Sequence, residues 1–197
     1  MEMFNRIIVK DEGKYFLFCG SAAYIEVLEF VIKSFELIEN IEIKLQLICF
    51  GSKSEINILK IKISQSKKAD LIVLSSDMDY TKLICYYKKA LALLIPLRST
   101  QQDQARFPHK VGEYAASGKP IISNKFGEMG FYFIDEKSAL LAEKYEYIDF
   151  ANKMKFVICN PEKANQIGIN GRIVADTYFD YKKFGGKLAS FLENIKN

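Results

Sequence analysis

Lys110 and Glu113 are the residues whose types and spacing best fit chemistry on an anion. They lie three apart in Arg106-Phe107-Pro108-His109-Lys110-Val111-Gly112-Glu113-Tyr114-Ala115-Ala116-Ser117-Gly118-Lys119-Pro120-Ile121-Ile122. Pro108 is expected at the first position of a helix, where its missing N–H costs nothing, and Gly118 permits a left-handed cap at the far end. A helix that starts in the loop after a strand aims its free first-turn N–H groups and the positive end of its dipole into that loop's crevice, which favours an anion. Lys110 opposes the dipole by a few tenths of a kcal/mol, a conflict an anionic ligand relieves. Glu113 either forms a surface ion pair with it, worth roughly 0.2–0.5 kcal/mol, or serves a ligand from its position at the sheet's carboxyl edge.

Other reactive groups are sparse. His109 is the one histidine; it has no evident acid–base partner, reads as a surface or capping residue, and argues against a His-based metal site. Cys19, Cys49, Cys85 and Cys159 are far apart with no C-x-x-C pair, and three lie in apolar surroundings, so buried reduced thiols are expected. Gly185-Gly186 follows no strand and reads as a break or end in a terminal helix, not a phosphate loop. Tyr145, Tyr147, Phe150 and Phe156 read as core packing. Lys153 and Lys155 beside Phe156 form either a solvated face or a contact with an anionic membrane.

Apolar runs closed by turn residues predict strands at 15–19, 45–50, 71–74, 91–95, 120–123 and 131–134. Helical spacing predicts helices at 24–39, 81–89, 108–118, 145–158, 161–178 and 181–195. The segment 54–66 fits both periods and is read as a helix because parallel strands need a crossover. Residues 97–106 show no period and are expected as a surface loop. Alternating strands and helices imply an α/β fold: a doubly wound, Rossmann-like domain with a mostly parallel sheet, helices on both faces and a helical C-terminus. Ligands of such sheets sit beyond the carboxyl ends of the strands. That places Gly20-Ser21, Ser75 to Asp77, Pro96 to Arg106 and Asn124 to Gly127 at the expected site.

With 197 residues, 49% hydrophobic and 26% charged, the chain is long enough for one self-sufficient core, and disordered, collagen-like and disulfide-scaffold classes are excluded. Its 28 basic and 24 acidic residues leave a net +4, too small and dispersed to argue for nucleic acid. No apolar stretch is long enough to span a bilayer, and 1–14 lacks the pattern of a signal peptide. The expectation is a cytoplasmic protein, at the inner face of the membrane if the lysine face meets lipid, with 1–14 as linker or extension and 15–197 as the domain.

The segment Phe107 to Ile122 resembles the pattern P-x-K-x-x-E-Y-x-A-x-G-x-P-[VI]-[VI] of the group 1 retaining glycosyltransferases, which have the GT-B fold. Tyr15 to Ser21 is similar to the opening strand of that family's C-terminal domain. Leu47 to Ser52 is similar to its second strand, Leu94 to Arg98 to the strand entering its donor loop, and the Pro161-Glu162 and Asn170-Gly171-Arg172 helices to its closing helices. The resemblance implies the donor-binding half of an enzyme, taking a UDP- or GDP-sugar, with the acceptor held by an N-terminal lobe in the same or a separate chain. It implies transfer to a glycan in polysaccharide biosynthesis, with no metal or other cofactor demanded.

By the same resemblance Glu113 contacts the nucleotide ribose, and Lys110 and Arg98 neutralise the departing diphosphate. Gly20 and Ser21 form the phosphate turn, Ser75 and Asp77 frame the base, and Gly127 belongs to the loop after strand five. Two departures stand out. The first acid of the family's E-x7-E pair falls on Ala105, with Asp103 the nearest upstream acid. Ser21-Ala22-Ala23-Tyr24 lacks the family's Arg and Lys, leaving Arg98, Arg106, Lys110 or Lys125 to supply charge. The rival readings are a non-catalytic GT-B-like domain serving as a binding or partner module, and an unrelated flavodoxin-like or receiver domain, which leaves 108–120 unexplained.

Overall fold

A computed structural model of the protein describes residues 2–10, 13–39, 42–105 and 107–195. Helix α1 (Glu2–Arg6) precedes β1 (Tyr15–Ser21), α2 (Ile25–Glu36), β2 (Lys44–Phe50), α3 (Lys53–Ser64) and β3 (Ile72–Ser75). Then come α4 (Tyr80–Lys89), β4 (Ala92–Ile95), α5 (Gln101–Gln104), α6 (Lys110–Ala116), β5 (Ile121–Asn124), α7 (Met129–Tyr132) and β6 (Leu140–Ala142). The chain continues through α8 (Tyr147–Cys159), α9 (Pro161–Tyr178) and α10 (Tyr181–Ile195). The six strands form one sheet in the order β3-β2-β1-β4-β5-β6, and every pairing is parallel. This is the doubly wound order, with the topological switch between β1 and β4.

Strand alternation divides the core in two. Phe16 and Phe18 of β1 pack with Val27, Leu28, Val31 and Phe35 of α2, Leu59 of α3 and Phe150, Met154 and Val157 of α8. Leu17 and Cys19 point the other way, against Ile84 and Tyr87 of α4, Val111 and Tyr114 of α6 and Met129 of α7. Phe4 of α1 joins that second cluster at 4% exposure, so part of the N-terminal extension is packed on the domain. The ambiguous segment is helical because a capping box fixes its start: Ser52 Oγ accepts from Glu55 N at 3.3 Å and Glu55 accepts from Ser52 N at 2.6 Å.

Four local expectations are corrected. The aromatic run 131–134 is not a strand; α7 and a tight turn occupy the β5–β6 connection, and the sixth strand is Leu140–Ala142. That turn is set by polar residues: Ser138 Oγ accepts from Ile134 N and Asp135 Oδ1 from Leu141 N. The stretch 97–105 is no plain surface loop, since α5 buries Asp103 completely, with Thr100 Oγ1 capping it through Asp103 N at 3.2 Å. Helix α6 starts at Lys110, with His109 at the cap and the Pro108 carbonyl accepting from Val111 N, so Pro108 leads into the helix from outside it. Gly185-Gly186 neither ends nor interrupts α10. Gly118 does take the left-handed conformation expected of it, at φ +77°.

Of the cysteines, Cys19 and Cys49 are buried, Cys85 is half-buried and Cys159 exposed; all four are free. Tyr145, Tyr147 and Phe150 surround Phe30, with Tyr145 stacked on it at 3.9 Å, which is packing as expected. Among the described residues, no helix is long and apolar enough to cross a membrane.

Candidate functional site

Helix α6 packs on α9 and β5, and as the helix leading from β4 to β5 it starts at the carboxyl edge beside the switch point. Tyr114 sets this position: its Oη accepts from Cys19 N at 3.0 Å, a buried bond that ties α6 to the last residues of β1. Lys110 Nζ is carried over the exposed Phe50 ring at the end of β2, 5.8 Å from its centroid. Glu113 is half-buried one turn on. Two hydroxyls from α4 point at its carboxylate, Tyr80 at 3.5 Å from Oε1 and Tyr87 at 3.3 Å from Oε2. Burial raises the pKa of both tyrosines, with the Glu113 charge adding to it, so they remain O–H donors. Glu113 opens on a groove of about 180 Å³, lined also by Tyr80, Gly112, Ala116, Phe179 and Asp180. Lys110 and Glu113 do not pair with each other; one turns to β2 and the other to α4.

The β1–α2 turn completes this edge. Ala22 N donates to the Phe50 carbonyl at 2.9 Å, and Ser21 Oγ accepts from Ala23 N at 3.2 Å. The Ser21 hydroxyl therefore holds its own turn. Gly20 is backed by the Phe18 ring, which a Cβ at residue 20 would approach to 3.0 Å.

Arg98 forms a separate cluster. Its N and Nε donate to Asp103 Oδ2 at 2.9 and 3.0 Å, and its Nη1 reaches Glu26 of α2 at 3.3 Å. Hydrogen bonding to Asp103 raises the guanidinium pKa further. Gly127, at φ +54°, belongs to this cluster: a Cβ there would stand 3.3 Å from the Asp103 and Gln104 carbonyl oxygens. The loop after β5 is thereby packed on the α5 turn.

Ser75 and Asp77 lie two strands away from β1, at the β3 edge. Ser75 Oγ accepts from Gln46 Nε2 at 3.0 Å, and Asp77 takes a left-handed φ of +51°. Lys125 pairs with Glu143 at 2.9 Å, and His109 is exposed without capping α6. Arg106 lies outside the described residues. The structure thus gathers Gly20, Ser21, Lys110 and Glu113 at one edge, gives Arg98 and Gly127 to a neighbouring cluster, and holds Ser75 and Asp77 apart. Sequence reasoning missed Tyr80, Tyr87 and Tyr114 at the site. Tyr80 and Tyr87 stand two helical turns apart, the spacing that sets both on one face. The Thr100-x-x-Asp103 signature announced the α5 cap.

Comparison with known proteins agrees with this architecture. The family model for glycosyl transferases group 1 matches residues 2–174. The uncharacterized glycosyltransferase MJ1178 of Methanocaldococcus jannaschii is 28% identical over 173 residues, covering 85% of this chain and 45% of that protein. Sucrose-phosphate synthase (tll1590) from Thermosynechococcus elongatus superposes with a TM-score of 0.80 at 19% identity, over 95% of this chain and 46% of that one. Anabaena Alr3699/HepE in complex with UDP-glucose gives 0.77 at 16% identity, over 92% and 49%. The chain spans about half the length of each of these proteins. It belongs to the group 1 glycosyltransferases and carries one half of a GT-B fold.

Proposed function

We propose that this chain is the donor-binding lobe of a retaining glycosyltransferase and holds a nucleoside-diphosphate sugar, UDP- or GDP-linked, over the carboxyl edge at β1 and β4. The observation that carries this reading is the Glu113 carboxylate, half-open on its groove and set by two hydroxyls, one helical turn from Lys110. Glu113 accepts the ribose O–H groups. Lys110, with Arg98 alongside, balances the negative charge that grows on the diphosphate as the glycosidic bond breaks, and the acceptor hydroxyl attacks the face the diphosphate leaves. Gly20 and Ser21 present backbone to the phosphates, the Gly127 loop flanks the sugar, and Ser75 with Asp77 frames the base side. The relative solved with UDP-glucose supports a nucleotide-sugar donor.

The groove of about 180 Å³ beside Glu113 is walled by α4 and α6 on one side and by Phe4, Ala175 and Tyr181 on the other; smaller than the roughly 300–1,000 Å³ of complete ligand sites, it takes on this reading the ribose alone. The product is a glycan of polysaccharide biosynthesis; Lys153 is taken up by Asp135 at 2.6 Å and Glu136 at 3.7 Å, so of the two lysines beside Phe156 only the exposed Lys155 is open to an anionic membrane. The lobe alone binds donor and transfers nothing.

Titration calorimetry with UDP, GDP, ADP and their sugars tests this. Saturable binding below millimolar concentration that Glu113→Ala abolishes is expected. Absent binding, or binding indifferent to that change, refutes it. The internal pairing of Arg98 with Asp103 and Glu26 favours a second reading, a non-catalytic partner module, which predicts co-purification with a second polypeptide and no nucleotide selectivity.

A further inference from the structure

We infer that Tyr87 and Tyr80 are positioning residues that aim the Glu113 carboxylate at a vicinal diol, an inference that rests on the donor-binding reading above. A glutamate on a helix has three side-chain torsions, the last of them broad. Accepting two adjacent hydroxyls requires both oxygens in a set plane. Helix α4 supplies the constraint from one rigid face: Tyr87 addresses Oε2 at 3.3 Å and Tyr80 addresses Oε1 at 3.5 Å. One donor per oxygen leaves further lone pairs on each for a ligand.

The frame behind the carboxylate is rigid. Tyr87 is wholly buried, and its ring meets Tyr114 edge-on with centroids 5.1 Å apart. Tyr114 is itself bonded to Cys19 N at the end of β1. The orientation of Glu113 is thus referred to the same strand end that carries Gly20 and Ser21. Tyr80, 44% exposed, stands at the groove's rim. Both O···O separations are long for a hydroxyl donor, which leaves slack for contacts that tighten when a diol arrives, as active-site hydrogen bonds commonly do. A buried tyrosine hydroxyl needs some acceptor. Here the acceptor is a half-open carboxylate, so the bond has a consequence for whatever Glu113 holds.

Calorimetry on the full chain with UDP and with 2′,3′-dideoxy-UDP separates this role from simple packing. Tyr87→Phe is expected to weaken UDP about fivefold, the effect of one modest hydrogen bond, and to leave the dideoxy ligand within about twofold. Tyr80→Phe, at an exposed position that does not threaten the fold, is expected to weaken UDP about threefold with the same selectivity. Adding Tyr87→Phe to Glu113→Gln should cost nothing further. Equal losses for both ligands, or no loss in either tyrosine variant, overturn the inference while a diol preference abolished by Glu113→Gln keeps the reading beneath it. UDP affinity unchanged by Glu113→Gln overturns both.

Discussion

Replacing Asp103 by asparagine should destabilise the domain more than any substitution at the exposed acids around the site. Asp103 is fully buried, and one of its oxygens receives both the Arg98 backbone N–H at 2.9 Å and Nε at 3.0 Å. Hydrogen bonds to a charged group contribute about 1.5–3 kcal/mol each, and removing one member of a buried pair costs about 3–5 kcal/mol. The Arg98 side chain keeps 21% exposure and a second acid in Glu26, itself 79% exposed, so part of the loss is recovered in water and the estimate falls to about 2–3 kcal/mol. For a chain of this length that is a melting temperature lowered by roughly 5–10 °C. Arg98→Met should cost a comparable amount, about 2–3 kcal/mol, because it removes the charge-assisted Nε contact to a wholly buried carboxylate while the residue-98 backbone N–H still donates to it. Urea unfolding of both single variants and the double variant measures the coupling, expected at about 1–2 kcal/mol less than additive. A melting shift below about 1 °C for Asp103→Asn, or strict additivity, would refute the assignment of this pair as the clamp of the 97–105 connection.

Gly168→Ala should cost more than about 2 kcal/mol, because a Cβ there would meet the Lys119 backbone at 2.7 Å and backbone cannot move aside as a side chain can. Gly118→Ala should cost only about 1 kcal/mol, the strain of its φ of +77°, since a Cβ there would make no more than an ordinary 3.9 Å contact with Arg172; chemical denaturation giving the reverse order rejects this account of the α6–α9 contact. Burial pushes the Cys49 thiol up to about 12, so at pH 8 only about one in 10⁴ of it is thiolate. In the native protein a thiol reagent should therefore modify the exposed Cys159 first and leave Cys49 unreacted until the chain unfolds; rapid native labelling of Cys49 contradicts this. Truncation after Tyr181 should move the melting temperature by less than about 2 °C, since Leu188, Phe191, Leu192 and Ile195 are 51–64% exposed on α10; a larger fall would mean that α10 braces the core.

The sheet was legible because its strands are buried on both faces and read as short apolar runs, Tyr15–Cys19 and Leu45–Phe50 above all. Where the chain turns on side-chain hydrogen bonds, periodicity is silent. Phe131 to Ile134 looks like a strand by residue type, yet Ser138 and Asp135 bind the backbone on either side and move the sixth strand to Leu140–Ala142. Likewise Asp103 reads as a polar loop residue until its partner Arg98 is seen beside it in space. At the site, Glu113 and Lys110 could be found from spacing within one helix. Their separate attachments, to Tyr80 and Tyr87 on α4 and to Phe50 on β2, are contacts between elements that no local pattern encodes.

The same geometry bears on which reading of Arg98 prevails. Its two contacts with the buried Asp103 are partly buried and fix the backbone as well as the side chain, whereas its contact with Glu26 is a single 3.3 Å approach to a largely exposed carboxylate. Exposed pairs of that kind contribute about 0–1 kcal/mol. A diphosphate offers charge-assisted, bidentate contacts that are stronger, so on the proposed donor reading it would displace Glu26 before Asp103. On the proposed donor reading, an Arg98 held by Asp103 at Nε and freed from Glu26 at Nη1 would lose less side-chain freedom on binding an anion than a free arginine would. The internal pairing that favours a partner module would therefore serve the proposed donor site equally well, and binding of a diphosphate by the full chain, weakened by Arg98→Met, distinguishes the two.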